Sequence, residues 1–372
     1  MTRVLVTGGA GFIGSHTADA LLVRGFDVRV LDALLPPVHD GTVPAYVPRE
    51  VEFVRGDVRD AGVLRRALDG VSIVYHFAAY QDYLTDFSTF FSTNTVSTAL
   101  LYELIVADRR SVDLVVVASS QAIYGEGRYV CQTHGDVYPG PRPLAQLEAR
   151  DWEHRCPACR APVQPAWTDE RVLRPHNSYA LSKRDQDDIA TSLGPRYGVP
   201  SVALRYSIVQ GPRQSFRNAY SGALRAFAVC ALSGAAPVCF EDARQLRDYV
   251  SVWDVVAANL LPLERREMHG RSFNVGGDRQ VRVRELADLV AEVAGGTVEP
   301  TVPGLYRVGD TRHVFSDVSA LRSLGWTAAR SQRAIVEEYV AWAAQHPGLE
   351  NTYREAERRM RELGVLRSAA GG

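Results

Sequence analysis

Gly8, Gly11 and Gly14, in the run Gly8-Gly9-Ala10-Gly11-Phe12-Ile13-Gly14, limit more than any other feature how this chain can fold. Val4-Leu5-Val6-Thr7 before them reads as a short apolar strand, and the apolar-periodic stretch from Ala18 to Val23 after them as a helix. Glycines at such a junction permit a tight turn, close approach of backbone to a pyrophosphate, and close packing of helix on strand. A second strand, Asp27-Val28-Arg29-Val30-Leu31, ends in Asp32. A carboxylate at that point accepts hydrogen bonds from both adenosine ribose hydroxyls and repels a 2′-phosphate, so the pattern predicts NAD rather than NADP. The loop residues expected at the cofactor are Gly8, Gly11, Phe12, Ile13 and Gly14.

Further strand-like runs lie at Val51 to Val54, Val71 to His76 and Val112 to Ala118, separated by helical stretches such as Ala61 to Leu68 and Thr95 to Val106. Strand alternating with helix predicts a parallel, doubly wound α/β sheet of the Rossmann type. Asp57-Val58 follows a strand and could reach an adenine; Ala78-Ala79 supplies small side chains near a dinucleotide. Either pair could equally be a turn carboxylate or simple packing. With 42 Lys and Arg against 43 Asp and Glu, the formal charge of -1 does not suggest a nucleic-acid surface. No apolar run is long enough to span a bilayer, and no signal-peptide core follows Met1, so the expected location is the cytoplasm.

Tyr179-Ala180-Leu181-Ser182-Lys183 places a phenol and an ammonium one helical turn apart on one face. The lysine charge is expected to lower the phenol pKa toward working pH, making Tyr179 a proton carrier for an alcohol. Taken alone the spacing is commonplace. Together with the glycine loop, Asp32, Gly56-Asp57-Val58, His76-Phe77-Ala78-Ala79, Asn94 and Ser119-Ser120-Gln121-Ala122-Ile123-Tyr124-Gly125, it resembles the extended short-chain dehydrogenase/reductase family of sugar-nucleotide epimerases and dehydratases. The resemblance extends to about Trp326.

That resemblance implies Tyr179 as acid/base, Lys183 as the residue that tunes it and holds the nicotinamide ribose, and Ser120 as a partner of the reacting sugar hydroxyl. It also implies Asn94 at the cofactor, Gln121 and Tyr206 at the substrate, and a homodimer built on helices near 95–106 and 179–190. Relatives that eliminate water need an acid pair just after Ser120, where this chain has Gln121 and Ala122. What remains is epimerisation through a transient ketone, or simple alcohol oxidation. Within the family the resemblance is finest to 4-epimerases of thymidine-diphosphate 6-deoxyhexoses. The rival readings are a 2-epimerase of a cytidine-diphosphate deoxyhexose, a dehydrogenase releasing NADH, and a non-catalytic NAD-binding scaffold.

Between Tyr124 and Tyr179 the chain is longer than this family usually runs, and the extra sequence holds Cys131-x-x-His134 and Cys156-x-x-Cys159. Two such pairs present three sulfurs and an imidazole for tetrahedral zinc, with His154 as an alternative to His134. Four protein ligands predict a structural ion, stapling a long polar loop into a wall or lid of the sugar site.

In the second half, the resemblance makes Arg247 and Arg307 the clamps of a substrate diphosphate, with Arg213 a further candidate. Ile208 stands where many relatives have an asparagine near the diphosphate. The expected layout is an NAD-binding domain over 1–204 containing the insertion at 126–170, a nucleotide-sugar lobe over 205–345, and a terminal helix with a disordered tail over 346–372.

Overall fold

The computed structural model describes residues 2–82, 84–218, 222–296, 298–346 and 350–369. Its centre is a seven-stranded parallel sheet made of β1 (Arg3–Thr7), β2 (Asp27–Asp32), β3 (Glu52–Arg55), β4 (Ile73–His76), β5 (Leu114–Ser120), β6 (Ser201–Tyr206) and β7 (Arg271–Val275). The spatial order is β7-β6-β5-β4-β1-β2-β3. Val4, Leu5, Val6, Val115, Val116 and Val117 are fully buried, as strands covered on both faces require.

One face is covered by α1 (Phe12–Val23), and the other by α2 (Ala61–Ala67), α3 (Ser97–Ala107) and α4 (Ser178–Arg196). α1 ends where Gly25 adopts φ +80°, a conformation that glycine enters without a Cβ penalty. α4 starts on Asn177, whose side-chain oxygen accepts the Ala180 N–H at 2.8 Å. Chain order reverses between β1 and β4, and ligands of such sheets sit beyond the carboxyl ends of the strands at that reversal.

Two features differ from the expected layout. The outer strand β7 comes from 271–275, so the sheet is not completed within 1–204. Its helix α6 (Val252–Leu260) likewise packs on α1 against the sheet, while α5 (Ala223–Leu232), α7 (Val283–Val293) and α8 (Gln332–Ala343) form a separate core. The tail is also not wholly disordered: Leu366–Ser368 pairs antiparallel with Leu305–Arg307, and the Ala369 N–H donates to the Gly304 carbonyl. Residues 370–372 lie outside the described set.

The insertion is an ordered module rather than a stapled loop. Arg128–Cys131 is the middle strand of three, flanked by Gly135–Val137 and Gln164–Ala166, and Tyr129, Cys131, Cys156 and Val163 form its small core. Among the described residues no helix is long and apolar enough to cross a membrane.

Candidate active site

The glycine loop closes a bare backbone cradle between β1 and β4. Gly8 has φ +68°, and a Cβ there would stand 2.7 Å from the Ala78 nitrogen; at Gly14 it would meet the Gly8 carbonyl oxygen at 2.2 Å. No side chain caps the start of α1 at Gly11, which leaves the first-turn N–H groups of Phe12, Ile13 and Gly14 for an anion. Asp32 is fixed beside them by the Ala10 N–H on Oδ2 (3.0 Å) and the Leu34 N–H on Oδ1 (2.9 Å). Each carboxylate oxygen keeps a lone pair for a ribose hydroxyl. The cradle therefore fits a dinucleotide pyrophosphate with a 2′-hydroxyl ribose.

The other expected cofactor residues divide. Ala78 and Ala79 follow β4 at the mouth of the cradle, Ala79 exposed. Asp57 lies beyond β3, but its carboxylate is paired with Arg59 at 2.6 Å, which holds its pKa below the usual range. Val58 is buried in the core. Asn94 lies in a short π-helical segment, Phe91–Val96, and its amide is committed within the protein: Nδ2 donates to the Tyr80 carbonyl and to Ser182 Oγ, while Oδ1 accepts from the Tyr80 N–H. The structure thus makes Asn94 a strut between the loop at Tyr80 and α4.

β5 ends at Ser120 and α4 begins beside it, which brings the Tyr179 hydroxyl within interaction range of the Ser120 side chain. Ser120 also serves as a cap, its Oγ accepting the Ala122 N–H at 3.1 Å. The expectation of a lowered phenol pKa is not met. Burial pushes Tyr179 up to about 12, with only the Ser120 hydrogen bond opposing. Lys183 explains why: its Nζ donates to the Ala118 carbonyl at 2.7 Å and to Gln186 Oε1 at 2.8 Å, and burial pulls its own pKa down to about 7. Gln186, itself held by Thr98 Oγ1, is a partner that the sequence signals only as a polar residue three places after Lys183.

Of the expected substrate residues, Gln121 directly follows Ser120, is buried, and has an Oε1 with no hydrogen-bond partner among the described residues. Tyr206 is a correction: its hydroxyl donates to Asn259 Oδ1 at 2.7 Å within the packing between sheet and α6, because strand parity turns it into that core. Arg213 is also placed elsewhere, paired with Asp19 of α1 at 2.8 Å and stacked over Tyr46. Arg247 and Arg307 do flank a common segment. Arg247 donates to the carbonyls of Leu246, Thr311 and Arg312, and Arg307 pairs with Asp310 at 2.7 Å.

Cys131, His134, Cys156 and Cys159 converge, with every pair of ligand atoms within 4.8 Å. Cys131 Sγ lies 3.6 Å from His134 Nδ1 and 3.7 Å from Cys159 Sγ, and Cys156 Sγ lies 3.6 Å from His134 Nδ1. The hydrogen bond from His134 holds the Cys131 thiol down at about 6. His154 is not part of the cluster, since its Nε2 is bonded to Glu126 at 2.9 Å.

Cradle, serine, tyrosine and lysine stand together on a doubly wound sheet, and residues 4–144 and 157–276 match the model of the NAD dependent epimerase/dehydratase family. The chain belongs to that family. The interruption, 145–156, falls between His134 and Cys159. Among individual proteins, the chain is 33% identical to a dTDP-L-rhamnose 4-epimerase of Burkholderia thailandensis, over 92% of this chain and 95% of that one. It is 28% identical to a putative UDP-glucose 4-epimerase of Methanocaldococcus jannaschii, over 91% and 97%. Among solved structures, a Thermus thermophilus UDP-glucose 4-epimerase in complex with NAD shares 30% identity, with a TM-score of 0.71 over 92% of this chain and 98% of that one. A Thermotoga maritima UDP-glucose 4-epimerase with UDP-glucose gives 28% identity and a TM-score of 0.75 over 92% and 99%.

Proposed function

We propose that this chain is an NAD-dependent epimerase of nucleotide-diphosphate sugars that inverts C4 of a dTDP-6-deoxyhexose such as dTDP-L-rhamnose. The observation that carries the reading is the Tyr179 hydroxyl brought up to the Ser120 side chain beside the glycine cradle. When bound, NAD supplies the hydride acceptor and donor, and a positive ring. Ser120 orients the reacting sugar hydroxyl, and Tyr179 takes its proton and later returns it. Lys183 lies one turn away, held by the Ala118 carbonyl, and offers Nζ to the nicotinamide ribose. Gln121 Oε1 accepts from a sugar hydroxyl, which satisfies an otherwise orphaned buried oxygen. Neither Gln121 nor Ala122 is an acid, so the site has no donor for loss of hydroxide. Arg247 and Arg307 bind the diphosphate.

The cysteine–histidine cluster is read as structural zinc. Zn–S of about 2.3 Å and Zn–N of about 2.0–2.1 Å set tetrahedral ligand edges at about 3.6–3.8 Å. Three of the six ligand pairs, at 3.6, 3.7 and 3.6 Å, fall in that interval, and all six lie within 4.8 Å. Four protein ligands leave no open position for catalysis.

The test is incubation of the purified protein with dTDP-L-rhamnose and, separately, UDP-glucose, followed by NMR of the sugar. Inversion at C4 of the thymidine sugar without accumulation of NADH is expected. Inversion at another carbon, or net NADH, overturns the reaction assigned; preference for UDP-glucose overturns the substrate.

A further inference from the structure

The module and the second lobe meet in a buried ion network that the proposed chemistry does not use. Arg312 is wholly buried, yet it is bonded to three carboxylates: Glu241 (2.8 Å), Asp242 (2.7 Å) and Glu153 of the module (2.5 Å). From the module side, Arg142 reaches Glu241 through two bonds of 2.8 and 3.0 Å. The backbone of Arg312 is gripped as well, its N–H donating to Glu126 Oε2 at 2.9 Å, and Glu126 in turn is bonded to His154.

On its other side the same peptide faces the diphosphate clamp. The Arg312 carbonyl accepts from Arg247 Nη1 at 2.8 Å, and the Thr311 carbonyl accepts from Arg247 Nη2 at 2.6 Å. Among the described residues no carboxylate pairs with Arg247, so the position of its guanidinium is set by these carbonyls. Continuity back to the thiols runs through Tyr129. Its ring packs against His154 at 5.1 Å and His313 at 6.4 Å, and it shares the module core with Cys131 and Cys156.

We propose that Arg312 is a positioning residue through which the four-ligand module aims Arg247, so that metal occupancy sets affinity for the nucleotide diphosphate. This rests on the reading of Arg247 as a phosphate clamp. Loss of the metal frees Tyr129 and His154, Glu126 loses its orientation, and the Thr311-Arg312 peptide no longer fixes the guanidinium. The cradle at Gly8 to Gly14 shares none of these contacts, so dinucleotide affinity is independent of the module.

The experiment titrates dTDP and UDP calorimetrically into NAD-loaded protein and into the variants Cys159→Ser, Arg312→Lys, their combination, and Arg247→Ala, with zinc content and NAD affinity measured on each. Arg312→Lys keeps the buried charge but loses the planar fork, which avoids leaving the carboxylates unpaired. Cys159→Ser, stripped of zinc, and Arg312→Lys should each weaken nucleotide-diphosphate binding on the order of tenfold. The combination should be no weaker than the worse single variant, because both act on one path. NAD affinity should be unchanged throughout. A metal-free Cys159→Ser protein that binds dTDP as tightly as wild type overturns the coupling, and so do losses that multiply in the double variant or a parallel loss of NAD. If Arg247→Ala itself leaves nucleotide binding unchanged, the clamp reading fails instead.

Discussion

Around Gly8 to Gly14 the chain removes side chains so that backbone can approach a ligand; around Cys131 to Cys159 it brings side chains together so that a ligand can replace a core. The first arrangement is supported on two faces by helices and by strands whose valines are fully buried. The second rests on a small cluster, Tyr129, Cys131, Cys156 and Val163 with Val137 against it. A large apolar core can hold a pocket open without a ligand, whereas a module this small needs one to define its shape. The crevice should therefore respond to mutation in dinucleotide binding and turnover, and the module in local folding and in the diphosphate contacts that lean on it.

The largest effect that would break this division is expected at Tyr179. Tyr179→Phe removes the hydroxyl that faces Ser120 and should lower turnover about 10²- to 10⁴-fold, with the melting temperature and zinc content of wild type. Unchanged turnover would leave the chain a cofactor-binding scaffold. Next comes Gly14→Ala, whose new methyl would sit 2.2 Å from the Gly8 carbonyl oxygen and 2.8 Å from the Gly9 Cα. Such overpacking is expected to weaken NAD binding about 10- to 100-fold in a titration, while zinc stays bound. Cys156→Ser tests the other side. It should release zinc and expose residues 132–162 to protease, yet NAD affinity should stay within about twofold, as for sites without shared partners. Loss of NAD affinity together with zinc would show that the two regions fold as one unit.

The same division governs how much could be read from the sequence. The bare cradle at Gly8 and Gly14 and the held carboxylate of Asp32 were legible because their geometry follows from local sterics and from the period of the flanking strand and helix. The Cys and His pairs were legible because ligand spacing is short-range. What stayed hidden depends on contacts distant along the chain, such as Arg142 with Glu241 and Arg312 with Glu126, which leave no periodic trace. Tyr206 was misplaced because alternation along a strand does not say which face meets the substrate lobe. The strand at Leu366–Ser368 was missed because three residues acquire strand geometry only from their partner at Leu305–Arg307. The phenol of Tyr179 was misjudged for another reason: helical spacing brings Lys183 near, but spacing carries no information about burial, which raises one pKa and lowers the other.

Lys183 supplies the smallest and most specific test of that burial. Its pKa falls from 10.5 to about 7 on folding, so between those values the unfolded chain holds a proton that the folded protein has released. Stability should therefore rise with pH across that window, by at most ~1.4 kcal/mol per unit from this group. Lys183→Met removes the ionisable group and leaves the Ala118 carbonyl and Gln186 Oε1 without their donor, a cost that does not vary with pH in this range. Tyr179 works in the opposite sense, because its folded pKa is raised: it stabilises below about 10 and loses that contribution as pH climbs toward 12, in wild type and variant alike. Chemical unfolding of cofactor-free protein at several pH values, with the variant subtracted from wild type, isolates the lysine. A difference that climbs from pH 7 to 10 supports a dry crevice that disfavours the ammonium and releases its proton. A flat difference would mean that water reaches Nζ, and that the crevice is no more enclosed than the exposed Cys159 side of the module.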